Sequence, residues 1–180
     1  NAHREFGSGD HICHHGVLDM FRNAKPAAFV YASQQDETPV LEVASQMEGG
    51  DWPGAILGEV YAFTNADEVA LYRNNNEIAS FVPDKAFSHL WHGPIRIHDF
   101  IGNRLETGLG LDARTAGRIK RVIRAGALQG VSGMSLGDLL RAAWLIVVKR
   151  YSFNDIYALG EKYMTSWGNA AAEYRFDAVK

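Results

Sequence analysis

The sequence predicts a mixed α+β fold: an antiparallel β-sandwich carrying an N-terminal helix and an inserted three-helix unit. Three observations predict it. In residues 58–81, Val60 and Ala62 alternate with Tyr61 and Phe63, and Val69 and Leu71 with Ala70 and Tyr72, broken by Asn65-Ala66-Asp67 and again by Asn74-Asn75-Asn76. Period-two apolarity bounded by Asn and Asp is the signal of short strands joined by tight turns, here a three-stranded antiparallel meander. Residues 102–169 lose that alternation and take helical spacing instead. Residues 172–179 return to it, with Tyr174 and Phe176 set against Glu173, Arg175 and Asp177. A sheet of this kind must bury its apolar face against another layer, which is why a sandwich is expected.

The chain has 180 residues, room for one ordinary domain or two small ones. With 47% hydrophobic and 22% charged residues it is globular rather than disordered. A net charge of -3 gives no general pull toward nucleic acid or membrane. The single cysteine, Cys13, allows no internal disulfide and suits a reducing compartment, so a cytoplasmic location is expected. The apolar run at residues 142–148 is far shorter than the roughly 20 residues a membrane helix needs. The chain opens on Asn1-Ala2 rather than Met, which reads as a piece of a longer polypeptide. Charge is unevenly placed: residues 36–111 hold twelve acids and four bases, residues 112–150 eight bases and two acids. Two surfaces of one body that attract each other account for this better than a nucleic-acid face.

Residues 3–16 form a loop rich in Gly, His and Asp. His11, Cys13, His14 and His15 suggest a metal cluster, but no second separated pair exists to complete a tetrahedral site, so none is assigned. Two readings of this loop stay open, a substrate-site mouth and an exposed terminus. A helix is expected over residues 25–35, with Asn23 as N-cap, Pro26 in the first turn and Thr38-Pro39 beyond its end. Residues 40–44 read as a strand, and residues 46–58, with four Gly, one Pro and Trp52, as a loop. After the meander, residues 83–93 form a loop holding His89, Trp91 and His92, and residues 94–100 a strand. Residues 112–127 place Ile119, Val122 and Ile123 on one side and Arg114, Arg118, Arg121 and Arg124 on the other. Ser135 to Asp138 resembles a capping box, with Asp where Glu is usual. The helix over residues 136–148 is apolar nearly all round and should be the buried one of its group. Ser152 to Asp155 starts a third helix, which Gly168 is placed to end.

The chain holds no GxSxG, phosphate loop, HExxH or dinucleotide fingerprint, and no cofactor is expected. Glu5 and Asp10 make a poor catalytic pair, because paired carboxylates need a rigid frame. Trp52, Trp91 and Tyr72 are candidates for stacking on a sugar ring, weighed against aromatics that anchor core or loop.

The run TNADEVALYRNNNEI, residues 64–78, resembles the immunoglobulin-like domain that follows the barrel in glycoside hydrolase family 2, the β-galactosidase-like enzymes. Asn65, Asp67, Val69, Leu71 and Asn74 match that domain's strand–turn–strand pattern; Asn75 stands where glycine is usual. GVLDMFRNAKPAAFVYASQ, residues 16–34, resembles the end of the same family's catalytic (β/α) barrel, and EFGSGDH would belong to the loop at or after its eighth strand. The resemblance implies three parts: residues 1–38 from the barrel's end; residues 39–101 with 170–180 as an immunoglobulin-like sandwich; residues 102–169 as a helical insertion.

Family members are retaining glycosidases with two glutamates roughly 5 Å apart. Both would lie upstream of Asn1, so no catalytic residue is carried over, and one helix with one loop cannot close a barrel. The resemblance therefore implies a non-catalytic C-terminal accessory portion of a retaining β-glycosidase, inactive alone. Its partner would be the catalytic barrel of its own polypeptide. Asp10, His11, His14, Trp52 and Trp91 are the candidate substrate-binding residues. Two alternatives stay open, a carbohydrate-binding module and a protein-interaction or oligomerisation module. Carbohydrate and a second copy of the chain stay open as partners; nucleic acid and membrane are not expected.

Overall fold

The computed structural model describes residues 16–19, 21–45, 47, 56–164 and 172–180. It is a mixture of helix and sheet with two small antiparallel sheets. The elements run α1 (Pro26–Ala32), β1 (Leu41–Val43), β2 (Val60–Thr64), β3 (Glu68–Arg73), β4 (Asn76–Phe81), β5 (Ile95–Ile97), α2 (Arg104–Leu109), α3 (Ala113–Gln129), α4 (Leu136–Val147), α5 (Phe153–Met164) and β6 (Tyr174–Val179). One sheet has the order β1-β2-β5, the other β4-β3-β6.

This order corrects the expected meander. β2 pairs with β1 and β5, whereas β3 pairs with β4 and β6, so the chain changes sheets at Asn65. The reason lies in the Asn65 side chain, which turns inward and is 4% exposed. Its Oδ1 accepts from Val40 N–H at 2.9 Å, and its Nδ2 donates to the carbonyls of Gln35 at 2.7 Å and Thr38 at 2.8 Å. Thr64 adds a bond from its hydroxyl to Val40 O at 2.6 Å. An asparagine that satisfies three main-chain groups of a distant loop holds a crossover rather than a hairpin.

The second turn is the hairpin the sequence suggests. Asn74 and Asn75 have φ of 50° and 63°, positive at both central residues as a two-residue type I′ turn requires. Register then slips, from Leu71↔Ala79 to Tyr72↔Glu77, leaving a bulge at Ile78. Onto that bulge packs the turn that opens the helical region. Gly102 has φ +61°, and a Cβ there would lie 2.2 Å from Ile78 O. Asp99 fixes the same turn by accepting from the N–H groups of Ile101 and Gly102 at 2.9 and 2.8 Å.

Helices occupy the chain between β5 and β6, and β6 returns to pair along the whole of β3. Among the described residues there are four rather than the expected three. The missed one, α2, is six residues ended by left-handed Gly110, too short to show a period, with only Leu105 buried. α3 starts on Asp112, whose carboxylate accepts from Thr115 N–H at 2.9 Å. Its buried side is Ala116, Ile119, Val122 and Ile123. Its basic side turns back on the acidic half of the chain: Lys120 meets Asp99 at 2.9 Å and Arg124 meets Glu59. α4 starts on Ser135, which accepts from Asp138 N–H at 3.2 Å. α5 follows a reciprocal box in which Ser152 N–H donates to Asp155 at 2.7 Å and Asp155 N–H to the Ser152 hydroxyl at 3.1 Å. The expected end of that helix at Gly168 lies outside the described residues.

α4 departs most from expectation. It was to be the buried helix, yet only Leu145 is buried. α3 offers it one side to pack on, and Leu136, Leu140 and Val147 on its other side are exposed.

One apolar cluster joins the sheets to the helices, with Leu71, Ile95, Ile97, Phe100 and Ile119 fully enclosed. Each such side chain contributes about 1.5–3 kcal/mol. Arg73 of β3 crosses from sheet to helices: 7% exposed, it donates to the carbonyl of Tyr163 at 2.7 Å and of Lys162 at 3.3 Å, in the last turn of α5. A cation there also suits the negative end of the helix dipole. Among the described residues no helix is long and apolar enough to cross a membrane.

Candidate functional site

Of the five sequence candidates, Trp91 is described; Asp10, His11, His14 and Trp52 lie outside the described residues, as does Glu5. Trp91 belongs to the loop between β4 and β5, and that loop is closed at its neck by Asp84. Asp84 N–H donates to Pro94 O at 3.1 Å, its carboxylate caps the turn Lys85–Phe87 through Ala86 N–H at 3.0 Å, and Arg96 reaches it at 3.0 Å. The Phe87 ring meets Tyr61 of β2 edge-on at 6.1 Å, which fastens the loop to the sheet.

At its far end the loop is clamped to the residues after α1. Gln34 donates to His92 O at 2.7 Å and accepts from His92 N–H at 3.2 Å. Trp91 then lies flat on the His92 ring, centroids 5.6 Å apart and planes 13° from parallel. The indole is 72% exposed, so its other face looks onto solvent. Beside it, Asp36 receives a hydrogen bond from Lys180 Nζ at 2.7 Å. His92 Nε2 also approaches Asp36 Oδ1 at 3.2 Å but makes no aligned hydrogen bond, so that contact is an attraction that needs a protonated ring. The Lys180 bond, with the charges of Lys180 and His92, holds the Asp36 carboxyl below the usual carboxylate range against an opposing desolvation cost. The arrangement offers a fixed aromatic plate next to a carboxylate and an ammonium. It can stack against the C–H face of a ring and hydrogen-bond its hydroxyls.

Tyr72, the third stacking candidate, is occupied. The guanidinium of Arg175, its cross-strand partner on β6, sits 4.1 Å over its ring. A second concavity lies between α3 and α5, a pocket of about 220 Å³ lined by Ile56, Val122, Ile123, Met134, Phe153 and Tyr157 among others. It is apolar except at Tyr157, whose hydroxyl is raised above the usual phenol range by burial and then by Glu161. Its size suits one large side chain better than a sugar. Among the described residues no three His, Cys, Asp or Glu side chains converge as metal ligands.

Sequence reasoning missed Gln34, Asp36 and Lys180. Gln34 fell within the helix expected over residues 25–35, and neither Asp36 nor Lys180 belonged to any motif. Their meeting depends on β6 returning past β3, which no local pattern signals.

No family model matches the chain. Two curated proteins are similar to it. A β-galactosidase of Thermoanaerobacterium thermosulfurigenes is 40% identical over 101 residues, which take up 54% of this chain and 14% of that protein. A β-galactosidase of Thermoanaerobacter pseudethanolicus is 38% identical over 104 residues, 52% of this chain and 13% of that protein. The chain is thus related to β-galactosidases over about half of its residues, and the match spans about one-seventh of their length.

Proposed function

We propose that this chain, β-galactosidase-like over half its length, is a non-catalytic accessory portion of a retaining β-glycosidase of glycoside hydrolase family 2. In this reading the two sheets form an immunoglobulin-like sandwich from residues 39–101 and 170–180, residues 102–169 are a helical insertion, and residues 1–38 are the end of the catalytic barrel. The setting is cytoplasmic, in keeping with one cysteine. The observation that carries the reading is the outer side of α1. That helix buries none of its own residues, and beside it Phe21 and Tyr31 are 76% and 73% exposed. Two large exposed aromatics, Tyr31 on this short helix and Phe21 ahead of it in the chain, need a partner to cover them, and the rest of the barrel to which α1 would belong supplies one.

A chimera tests it. The aligned segment of the Thermoanaerobacterium thermosulfurigenes β-galactosidase is replaced by this chain, and hydrolysis of an aryl β-galactoside is followed. The chimera is expected to turn over, the chain alone is not, and Phe21→Glu with Tyr31→Glu in the chimera should release the two parts and lower the melting temperature. Turnover by the isolated chain, or a chimera indifferent to both substitutions, overturns the reading.

The exposed plate of Trp91 favours a second reading, a carbohydrate-binding module. Calorimetric titration with galactosides and polysaccharides decides it. Binding that Trp91→Ala abolishes would promote this reading over the accessory one.

A further inference from the structure

We propose that the end of the sheet where β3 and β6 meet α2 and α5 binds a phosphate group, held by Arg104, Arg73 and the hydroxyl of Tyr174. The proposal does not rest on the accessory reading. Tyr174 opens β6, whereas Lys180 and the Trp91 plate stand past its other end, so the two sites are separate.

Strand pairing brings the residues together. Arg73 ends β3 and is the cross-strand partner of Tyr174. Its guanidinium lies 5.8 Å from the Tyr174 ring centroid and is fixed by the carbonyls of Tyr163 and Lys162 at the end of α5. The Tyr163 side chain runs toward α2, where its hydroxyl would lie 3.8 Å from a Cβ on Gly108. Arg104 is the first residue of that helix, near enough to Arg73 for the two charges to repel. Four elements thus converge on one place and bring two cations to it.

The unsatisfied groups distinguish this place from a structural network. Among the described residues Arg104 meets no hydrogen-bond acceptor and no carboxylate. Burial, and then the charge of Arg73, hold its guanidinium below the ordinary arginine value. Glu106 stands two positions along α2 and projects from another side of the helix. The Tyr174 hydroxyl oxygen is buried and has no partner among the described residues. Burial pushes that phenol up, with the charges of Arg73 and Arg104 opposing. The clasp on α5 accounts for Arg73, but it explains neither Arg104 nor the Tyr174 hydroxyl. A desolvated charge and a buried hydroxyl each cost free energy until they are paired. One oxyanion accepting from both relieves them together.

Charge sets the class of ligand. Two guanidinium groups match a dianion, and the planar fork of arginine fits phosphate oxygens. A neutral sugar would leave both cations uncompensated. Lys162, exposed and with Nζ 5.1 Å from the Tyr163 ring centroid, adds a third positive charge nearby.

Calorimetric titration of the full chain with inorganic phosphate and with glycerol 3-phosphate, at constant ionic strength in chloride, tests this. Saturable binding of one ligand per chain is expected, and the tighter of the two tells a free ion from a monoester. A ligand that binds only the folded chain also raises its melting temperature, by about 3–6 °C at ten times the dissociation constant. Arg104→Gln should weaken binding about tenfold or more. It should leave the chain no less stable in chloride, because it removes an unpaired charge beside Arg73. Tyr174→Phe should weaken binding about fivefold and spare folding, since the lost hydroxyl has no partner. Arg114→Gln, at an exposed position of α3, should leave binding unchanged. The proposal is overturned by the absence of saturable binding, by binding that survives Arg104→Gln, or by equal losses in Arg114→Gln and Arg104→Gln. A fall in stability of Arg104→Gln in chloride overturns it too, since Arg104 would then be a structural residue.

Discussion

Replacing Asn65 with alanine should destabilise the chain by about 2–4 kcal/mol. The figure comes from three bonds at a residue 4% exposed: Val40 N–H into Oδ1, and Nδ2 to the carbonyls of Gln35 and Thr38. A neutral hydrogen bond contributes about 1 kcal/mol net, and a buried donor left without a partner costs about 1–3 kcal/mol. The losses are unequal. Thr38 O keeps a second donor in the Gln35 side chain at 2.7 Å, so Val40 N–H and Gln35 O bear most of the loss. For a chain of this size about 2–4 °C of melting temperature goes with each kcal/mol, which predicts a fall of roughly 5–15 °C by calorimetry. Asn65→Asp separates the contributions. At neutral pH it keeps the acceptor for Val40 but turns a carboxylate oxygen toward two carbonyls, so it should be at least as unstable as the alanine variant. Protonation restores one donor, and a carboxyl facing two carbonyls is held above its usual range, so the aspartate variant should gain on the alanine variant as pH falls toward about 4 and level off below it. Hydrogen exchange at Val40 should accelerate in Asn65→Ala. A fall of less than about 2 °C, with Val40 still protected, would refute the view that this side chain holds the crossover between sheets.

Two further substitutions probe the joint between sheet and helices. Gly102→Ala meets both a left-handed φ and the Ile78 carbonyl at 2.2 Å, and should cost about 4 kcal/mol or prevent folding. Gly110→Ala has a similar φ of +65° with nothing within 4 Å, and should cost only about 1 kcal/mol in urea titration; equal losses would mean that close packing at the bulge is unimportant. Asp112→Ala should lower the melting temperature at neutral pH, since the Asp112 carboxyl is held well below the usual range, first by the Thr115 hydroxyl and N–H and then by Lys149. A depressed folded value stabilises above the unfolded carboxyl's range and is lost as pH falls through the folded value, so the gap between wild type and variant should close below about pH 4. A gap independent of pH would show that the cap's charge is immaterial.

What was legible in the sequence was local. Period-two runs gave the strands, Ser135 and Ser152 gave helix starts, and Asn74-Asn75 gave a hairpin, because each signal acts within a few residues. What was not legible was polar work across distance. Asn65 read as a turn former and is instead a clasp on residues 35–40. Arg73 read as a strand residue and instead holds the end of α5, ninety positions away. Trp91 was legible as a stacking candidate, but its mount was not, since Gln34, His92, Asp36 and Lys180 come from three separated stretches.

α4 shows where the reasoning from periodicity stops. A helix apolar on all sides implies that something covers all sides. It does not imply that the cover lies within the same chain. α3 takes the side of Leu145, and the opposite arc holds six apolar side chains, Leu136, Leu139, Leu140, Ala143, Ile146 and Val147. A helix meant for a single core would be better served in water by polar residues in that arc. Periodicity therefore names the apolar sides of a helix, and what covers each of them is a separate matter of the packing around it.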